Sequence, residues 1–141
     1  MSVLDLFRLD GKTALVTGCS RGIGEAMAIG RNFPEALQKA LRSLEKPDAV
    51  FSWPAARTDV DVPALLDIMR TPRDGRLSEV QRALWAGAGI DAVHEATNID
   101  PWFLDQICQI NELADEVREA ESLNRVILLR AKRFGFSDRQ L

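Results

Sequence analysis

The sequence predicts a mainly α-helical domain, preceded by a short N-terminal strand and glycine turn, and three observations carry that prediction. Apolar residues recur at helical spacing from Asn32 onward. Proline and side-chain oxygens stand where helices would begin, as at Asn32, Pro63 and Asp100-Pro101. A single short run, residues 12–18, is the one convincing strand.

Taken in order, Lys12-Thr13-Ala14-Leu15-Val16-Thr17-Gly18 reads as a buried strand entering a tight turn. The period then changes: Phe33, Leu37, Ala40, Leu41 and Leu44 share one helical face, and Asn32 with Glu35 forms a capping-box-like start. Residues 46–61 hold Pro47, Ser52, Pro54 and Thr58 around Phe51 and Trp53, a composition for an irregular loop held down by its aromatics. A short helix over 63–69 has proline in its first turn and is stopped by Thr71-Pro72-Arg73-Asp74-Gly75. Four further helices are predicted over 77–86, 91–97, 101–120 and 123–134. In the third of these, Asp100 caps, Pro101 takes the first position, and Phe103, Ile107, Ile110, Ala114 and Val117, widened by Leu113, form a stripe that needs a partner. Gly135 is placed as a left-handed stop, and Ser137-Asp138 then reads as the opening of another helix at 139–141.

Composition narrows the function classes. With 46% hydrophobic and 28% charged residues over 141 positions, the chain has enough apolar material for one packed domain. A net charge of −3 gives no general attraction to phosphate backbones or anionic lipid, so a basic patch would have to be strictly local. Nucleic acid and membrane are therefore not expected partners. Cys19 and Cys108 lie far apart beside a single histidine, His94, which argues against a zinc site or disulfide framework and fits a reducing cytoplasm. The run Ala14-Leu15-Val16 is far shorter than the roughly 20 residues that span a bilayer, and no apolar signal-peptide core follows a basic start.

Several groups invite chemistry. Thr17, Gly18, Gly22 and Gly24 match T-G-x-x-x-G-x-G, in which glycines let the backbone approach a pyrophosphate at a helix N-terminus. On these residues the first 28 positions resemble the start of short-chain dehydrogenases. The resemblance implies Gly18, Gly22 and Gly24 as NAD(P)-binding positions, the alternative reading of the chain. That family's catalytic tyrosine has no counterpart, because the sequence contains no tyrosine. His94 beside Glu95, and the series Asp115, Glu116, Glu119 and Glu121 with Arg118, read as solvated helix faces. A helix-turn-helix DNA-binding module is a third reading, but its recognition helix, 100–107, carries acids and large apolar groups in place of base-reading side chains.

A longer resemblance begins at Gly24-Glu25-Ala26-Met27-Ala28-Ile29-Gly30-Arg31-Asn32-Phe33 and runs on through Glu35 to Leu44. It resumes at Thr97-Asn98-Ile99-Asp100-Pro101-Trp102-Phe103-Leu104 and extends from Leu123 to Gly135-Phe136-Ser137-Asp138. These two strings, in this order, resemble the oligomerisation domain of the carbamoyl-phosphate synthase large chain. The resemblance implies a non-catalytic helical unit over 29–141 that holds large chains together, behind an incomplete dehydrogenase-like leader over 1–28, with the family junction near Gly24 to Ala28. The parent would be an ATP-dependent ligase supplying carbamoyl phosphate to pyrimidine and arginine pathways, and none of its catalytic, cofactor or metal residues maps here. Expected partners are a second copy or other domains of such a synthase. Trp85, Trp102 and Phe103 are large anchors of the kind found at interfaces, and the interface candidates are Trp102, Phe103, Ile107 and Ile110.

Overall fold

The computed structural model describes residues 13–17, 26–46 and 49–141. Six α-helices dominate the described residues: α1 Phe33–Ser43, α2 Val62–Ile68, α3 Arg76–Trp85, α4 Ile90–Thr97, α5 Pro101–Glu119 and α6 Arg125–Arg133. The expected mainly helical class is what is found. Two strands precede them, β1 Thr13–Thr17 and β2 Ala26–Gly30, paired antiparallel with Thr13 opposite Gly30 and Thr17 opposite Ala26. β2 corrects the expectation of a single strand. Its sequence, Ala-Met-Ala-Ile-Gly, is poor in β-branched residues, and pairing with β1 and support from α1 supply what propensity lacks.

The caps explain where the helices begin. Asn32 accepts from Glu35 N at 2.9 Å, Asp61 from Ala64 N at 3.1 Å and Asp100 from Trp102 N at 2.9 Å. The last helix starts at Arg125 and not at 123, because Asn124 turns its side chain onto Val126 N and Ile127 N at 2.9 and 3.0 Å. Residues 139–141 do not form the expected helix. Ser137 N and Oγ both donate to Gln140 Oε1, at 3.0 and 2.9 Å, closing a tight turn in place of a helical one.

The core lies between α1, α3, α4 and α5, with Leu37, Val80, Leu104 and Ile110 among its buried centres. The strand pair lies on α1, and the approach is close: a Cβ at Gly30 would lie 2.5 Å from Ala36 N. The turn after α6 also packs on α1. Asn32 Nδ2 donates to Arg133 O at 3.4 Å, Gln38 Nε2 to Phe134 O at 2.9 Å and Arg42 Nη1 to Gly135 O. Three α1 side chains thus take up carbonyls that α6 leaves without helical partners at its C-terminus.

Candidate association surface

The longest helix, α5, sorts its expected apolar stripe into an inside and an outside. Capping by Asp100 places Trp102 and Phe103 in the first turn, ahead of the region where α5 packs on α3 and α4. Trp102 is 54% exposed and Phe103 42%, whereas Leu104 is buried. With half-buried Phe33 from the start of α1 they form an aromatic cluster, with ring centroids 5.6 Å apart for Phe33 and Trp102, 5.2 Å for Phe33 and Phe103, and 4.9 Å for Trp102 and Phe103. Ile107 and Ile110 are 1% and 0% exposed inside the core, which corrects their choice as interface residues. A partner cannot reach them while the helices are packed.

Trp85 is also internal, at 3% exposure, and its Nε1 donates to Asp115 Oδ1 at 3.0 Å. The guanidinium carbons of Arg57, from the 49–61 loop, and Arg118, from α5, lie 5.4 and 5.5 Å from its ring centre, so the indole meets two cations. A second polar tie has Asn111 Oδ1 accepting from Trp53 Nε1 and from Gln81 Nε2, both at 2.8 Å, while Asn111 Nδ2 donates to Gln81 O at 3.1 Å. Asn111 is the polar member that the stripe reading of α5 missed. It sits one position after Ile110, on the buried side, where an asparagine is itself a signal of a hydrogen-bonded core position.

Two more apolar patches went unnoticed in the sequence. Val126 is 74% exposed and Leu129 48% on α6, three residues apart and flanked by Arg125, Arg130 and Arg133, with Leu123 just before the helix. On β2, Met27 and Ile29 alternate outward at 66% and 41% exposure while Ala26 and Gly30 face inward. Strict alternation over five residues was the available signal, obscured by the small residues at the inward positions.

The electrostatics are structural. Glu35 is buried at the start of α1, accepts from Arg31 N at 2.8 Å and Nε at 3.0 Å, and pairs with Lys39 at 2.8 Å. The Arg31 guanidinium, with Lys39 and the Arg31 amide behind it, holds this carboxyl at about 2, against the opposing effect of burial. Burial pushes the Cys108 thiol up, and Asp105 and Glu112 add to that, which is the opposite of what a reactive thiolate needs. His94 is exposed and its Nδ1 lies 2.8 Å from Ile99 O. In the acidic series, Asp115 is occupied by Trp85 and Arg57, and Glu116 pairs with Arg130. Among the described residues no group of three or more His, Cys, Asp or Glu is arranged to hold a metal ion. None of their helices is long and apolar enough to cross a membrane. Gly18, Cys19, Gly22 and Gly24 lie outside the described residues.

Comparison with known proteins agrees with the longer of the two resemblances. Residues 25–141 match the family described as carbamoyl-phosphate synthetase large chain, oligomerisation domain. The chain is 56% identical over 126 residues to the carbamoyl phosphate synthase large chain of Micrococcus luteus, covering 89% of this chain and 11% of that protein. It is 54% identical over 128 residues to the large chain of Clavibacter michiganensis subsp. michiganensis, covering 91% of this chain and 12% of that protein. For the large chain of Clavibacter sepedonicus the identity is 53% over 128 residues, with the same 91% and 12% coverage. The chain therefore spans about an eighth or less of the length of these relatives.

Proposed function

The chain belongs to the oligomerisation-domain family of the carbamoyl-phosphate synthetase large chain, and from that premise we propose that it is a non-catalytic unit that associates through the aromatic end of α1 and α5. The observation that carries this reading is the exposure of two large aromatics, Trp102 at 54% and Phe103 at 42%, at the mouth of an otherwise well-packed core. Aromatic side chains bury much area at small entropic cost and dominate protein interfaces. The partner is a second copy or another domain of a carbamoyl-phosphate synthase, as the names of the relatives suggest. The parent activity is ATP-dependent carbamoyl phosphate synthesis for pyrimidine and arginine pathways in the cytoplasm, and this unit contributes assembly to it without cofactor, nucleic acid or membrane.

In this reading residues 29–141 are the associating unit and residues 1–28 a leader. The boundary falls within β2, so the leader adds strand to the face of α1. A dinucleotide site at Gly18, Gly22 and Gly24 requires a parallel β-α-β unit, whereas the observed partner of β1 is antiparallel, which favours association over the NAD(P) alternative.

Light scattering across a dilution series of the 141-residue chain tests the proposal. We expect a mass that falls toward the monomer on dilution, and an association weakened about tenfold or more in Trp102→Ala with Phe103→Ser, the loss usual for a truncated anchor. A strict monomer at the highest concentration, or an unchanged dilution curve for the double variant, counts against it. A thermal shift with NAD(P) would revive the alternative.

A further inference from the structure

Asp74-Gly75, in the turn that links α2 to α3, is a pair with chemistry of its own. The side-chain carboxyl of an aspartate lies within ring-closing reach of the next residue's amide nitrogen, and a glycine there offers no Cβ to obstruct the attack. Regular structure suppresses the reaction, because it engages that amide in a hydrogen bond and fixes the backbone around it. The sequence holds one other such pair, Asp10-Gly11, which lies outside the described residues.

The turn at Asp74 provides neither form of protection. The Asp74 carboxylate is 89% exposed, and it meets Lys46 Nζ at 3.5 Å, a contact between exposed groups that solvent weakens. The Gly75 amide makes no hydrogen bond among the described residues: the turn's bonds run from Arg76 N to Arg73 O at 3.3 Å, and from Ser78 N and Glu79 N to Gly75 O at 3.0 and 3.2 Å. Gly75 has a φ of +82°, and nothing lies within 4 Å of the position a Cβ would take. Other aspartates are closed off. Asp100 precedes Pro101, which has no N–H, and Asp59 precedes Val60, whose amide donates to Arg57 O at 3.2 Å. Asp67, Asp105 and Asp115 each precede a residue well inside a helix.

We propose that Asp74 is a site of spontaneous isomerisation to isoaspartate. The Gly75 nitrogen attacks Cγ of the protonated Asp74 carboxyl, an N–Cγ bond forms, and the carboxyl hydroxyl leaves with the amide proton as water, giving a succinimide. Water then adds to either ring carbonyl. Addition at Cγ breaks the N–Cγ bond and restores aspartate, whereas addition at the main-chain carbonyl breaks the original peptide bond and leaves Gly75 joined through Cγ. Water is lost once and gained once, so the mass is unchanged and no further reactant is needed. The product inserts one extra backbone carbon ahead of Gly75, which standard chain spacing does not accommodate. The consequence falls on Arg76, whose Nε donates to Met69 O at 2.7 Å and Nη2 to Thr97 O at 3.1 Å, holding the ends of α2 and α4 to the start of α3. Lengthening the chain just before it displaces that clamp. Association through Trp102 plays no part in this chemistry, so either proposal stands or falls without the other.

The test is to age the 141-residue chain at neutral pH and physiological temperature and to locate isoaspartate by electron-transfer fragmentation mass spectrometry, which resolves Asp74 from Asp10. A peptide with the sequence of residues 71–78 is aged alongside. The expected result is isoaspartate at Asp74 in the folded chain, forming within about tenfold of the peptide's rate, because an unprotected turn adds little to the barrier. Asp74→Glu, whose longer side chain disfavours the five-membered ring, should abolish it, and Gly75→Ala should slow it about tenfold by crowding the nitrogen. The isomerised fraction, separated by chromatography, should unfold at a lower urea concentration than the parent. A folded-chain rate more than about tenfold below the peptide's, or isoaspartate confined to other aspartates, would overturn the site. An isomerised fraction as stable as the parent would overturn its coupling to Arg76.

Discussion

Gly75 and Gly135 both adopt the left-handed region, with φ of +82° and +88°, yet their surroundings differ. Nothing lies near a Cβ at Gly75, whereas one at Gly135 would meet Gln38 Cβ, Glu35 Cα and Glu35 O, each at 3.1 Å. Gly75→Ala should therefore cost about 1 kcal/mol from backbone strain alone, and Gly135→Ala about 2–3 kcal/mol because α1 must also shift. Urea denaturation of the two variants separates these contributions, and equal losses would refute the close seating of α1 on the last turn. Glu35, on the same seam, makes a pH prediction. Its folded-state value of about 2 lies below the ordinary 4.5, so its stabilisation is fully present above about pH 5 and is lost as pH falls toward 2. The size should be about 1 kcal/mol, since solvent screens Arg31 and Lys39. Glu35→Gln should flatten that stretch of the stability profile, and an unchanged slope would mean that the ion pairs do not stabilise the fold.

At the scale of elements, α3 and α5 are joined by polar contacts as well as apolar ones. Asn111 accepts from both Trp53 and Gln81, so removing it strands the buried Gln81 amide and the half-buried Trp53 indole N–H. Asn111→Ala should destabilise by about 2–3 kcal/mol, the cost of unmet buried polar groups. Pairing it with Trp53→Phe should lose less than the sum of the single changes, because the second substitution deletes one of the stranded donors. Strict additivity in this double-mutant cycle would show that the Trp53 contact carries no energy. The same helix illustrates a limit of periodicity. A stripe of one polar and several apolar residues fits a core that contains a closed hydrogen-bond network, and spacing alone does not distinguish Asn111 from a surface asparagine.

For the whole molecule, stability and association should respond to different residues of α5. Ile107→Ala, in the core, should lose about 2–5 kcal/mol of stability by leaving a cavity. Trp102→Ala, on the exposed aromatic end, should cost only about 1 kcal/mol of stability, from its ring contacts with Phe33 and Phe103, and act mainly on self-association. Paired denaturation and dilution measurements read this division. If Trp102→Ala unfolds the chain as Ile107→Ala does, the aromatic cluster belongs to the core and the proposed surface is lost. The apolar face of α6, with Val126 and Leu129, offers a control: serine at both positions should not change an association that runs through α5.

Much of the fold was legible in the sequence. The helices, the caps at Asn32 and Asp100, and the stop at Gly135 rest on contacts within about four residues, which local sequence encodes directly, whereas the caps at Asp61 and Asn124 were equally local but not read. The association surface was legible only in part: the composition of α5 named its aromatics and its isoleucines together, and did not say which would be covered. That division, the pairing of Ala26–Gly30 and the burial of Trp85 were decided by tertiary structure. The physical reason is sequence separation. Trp85 meets Asp115 thirty residues away and Gln38 meets Phe134 ninety-six away, and contacts at such range depend on how the helices pack, which no local period records.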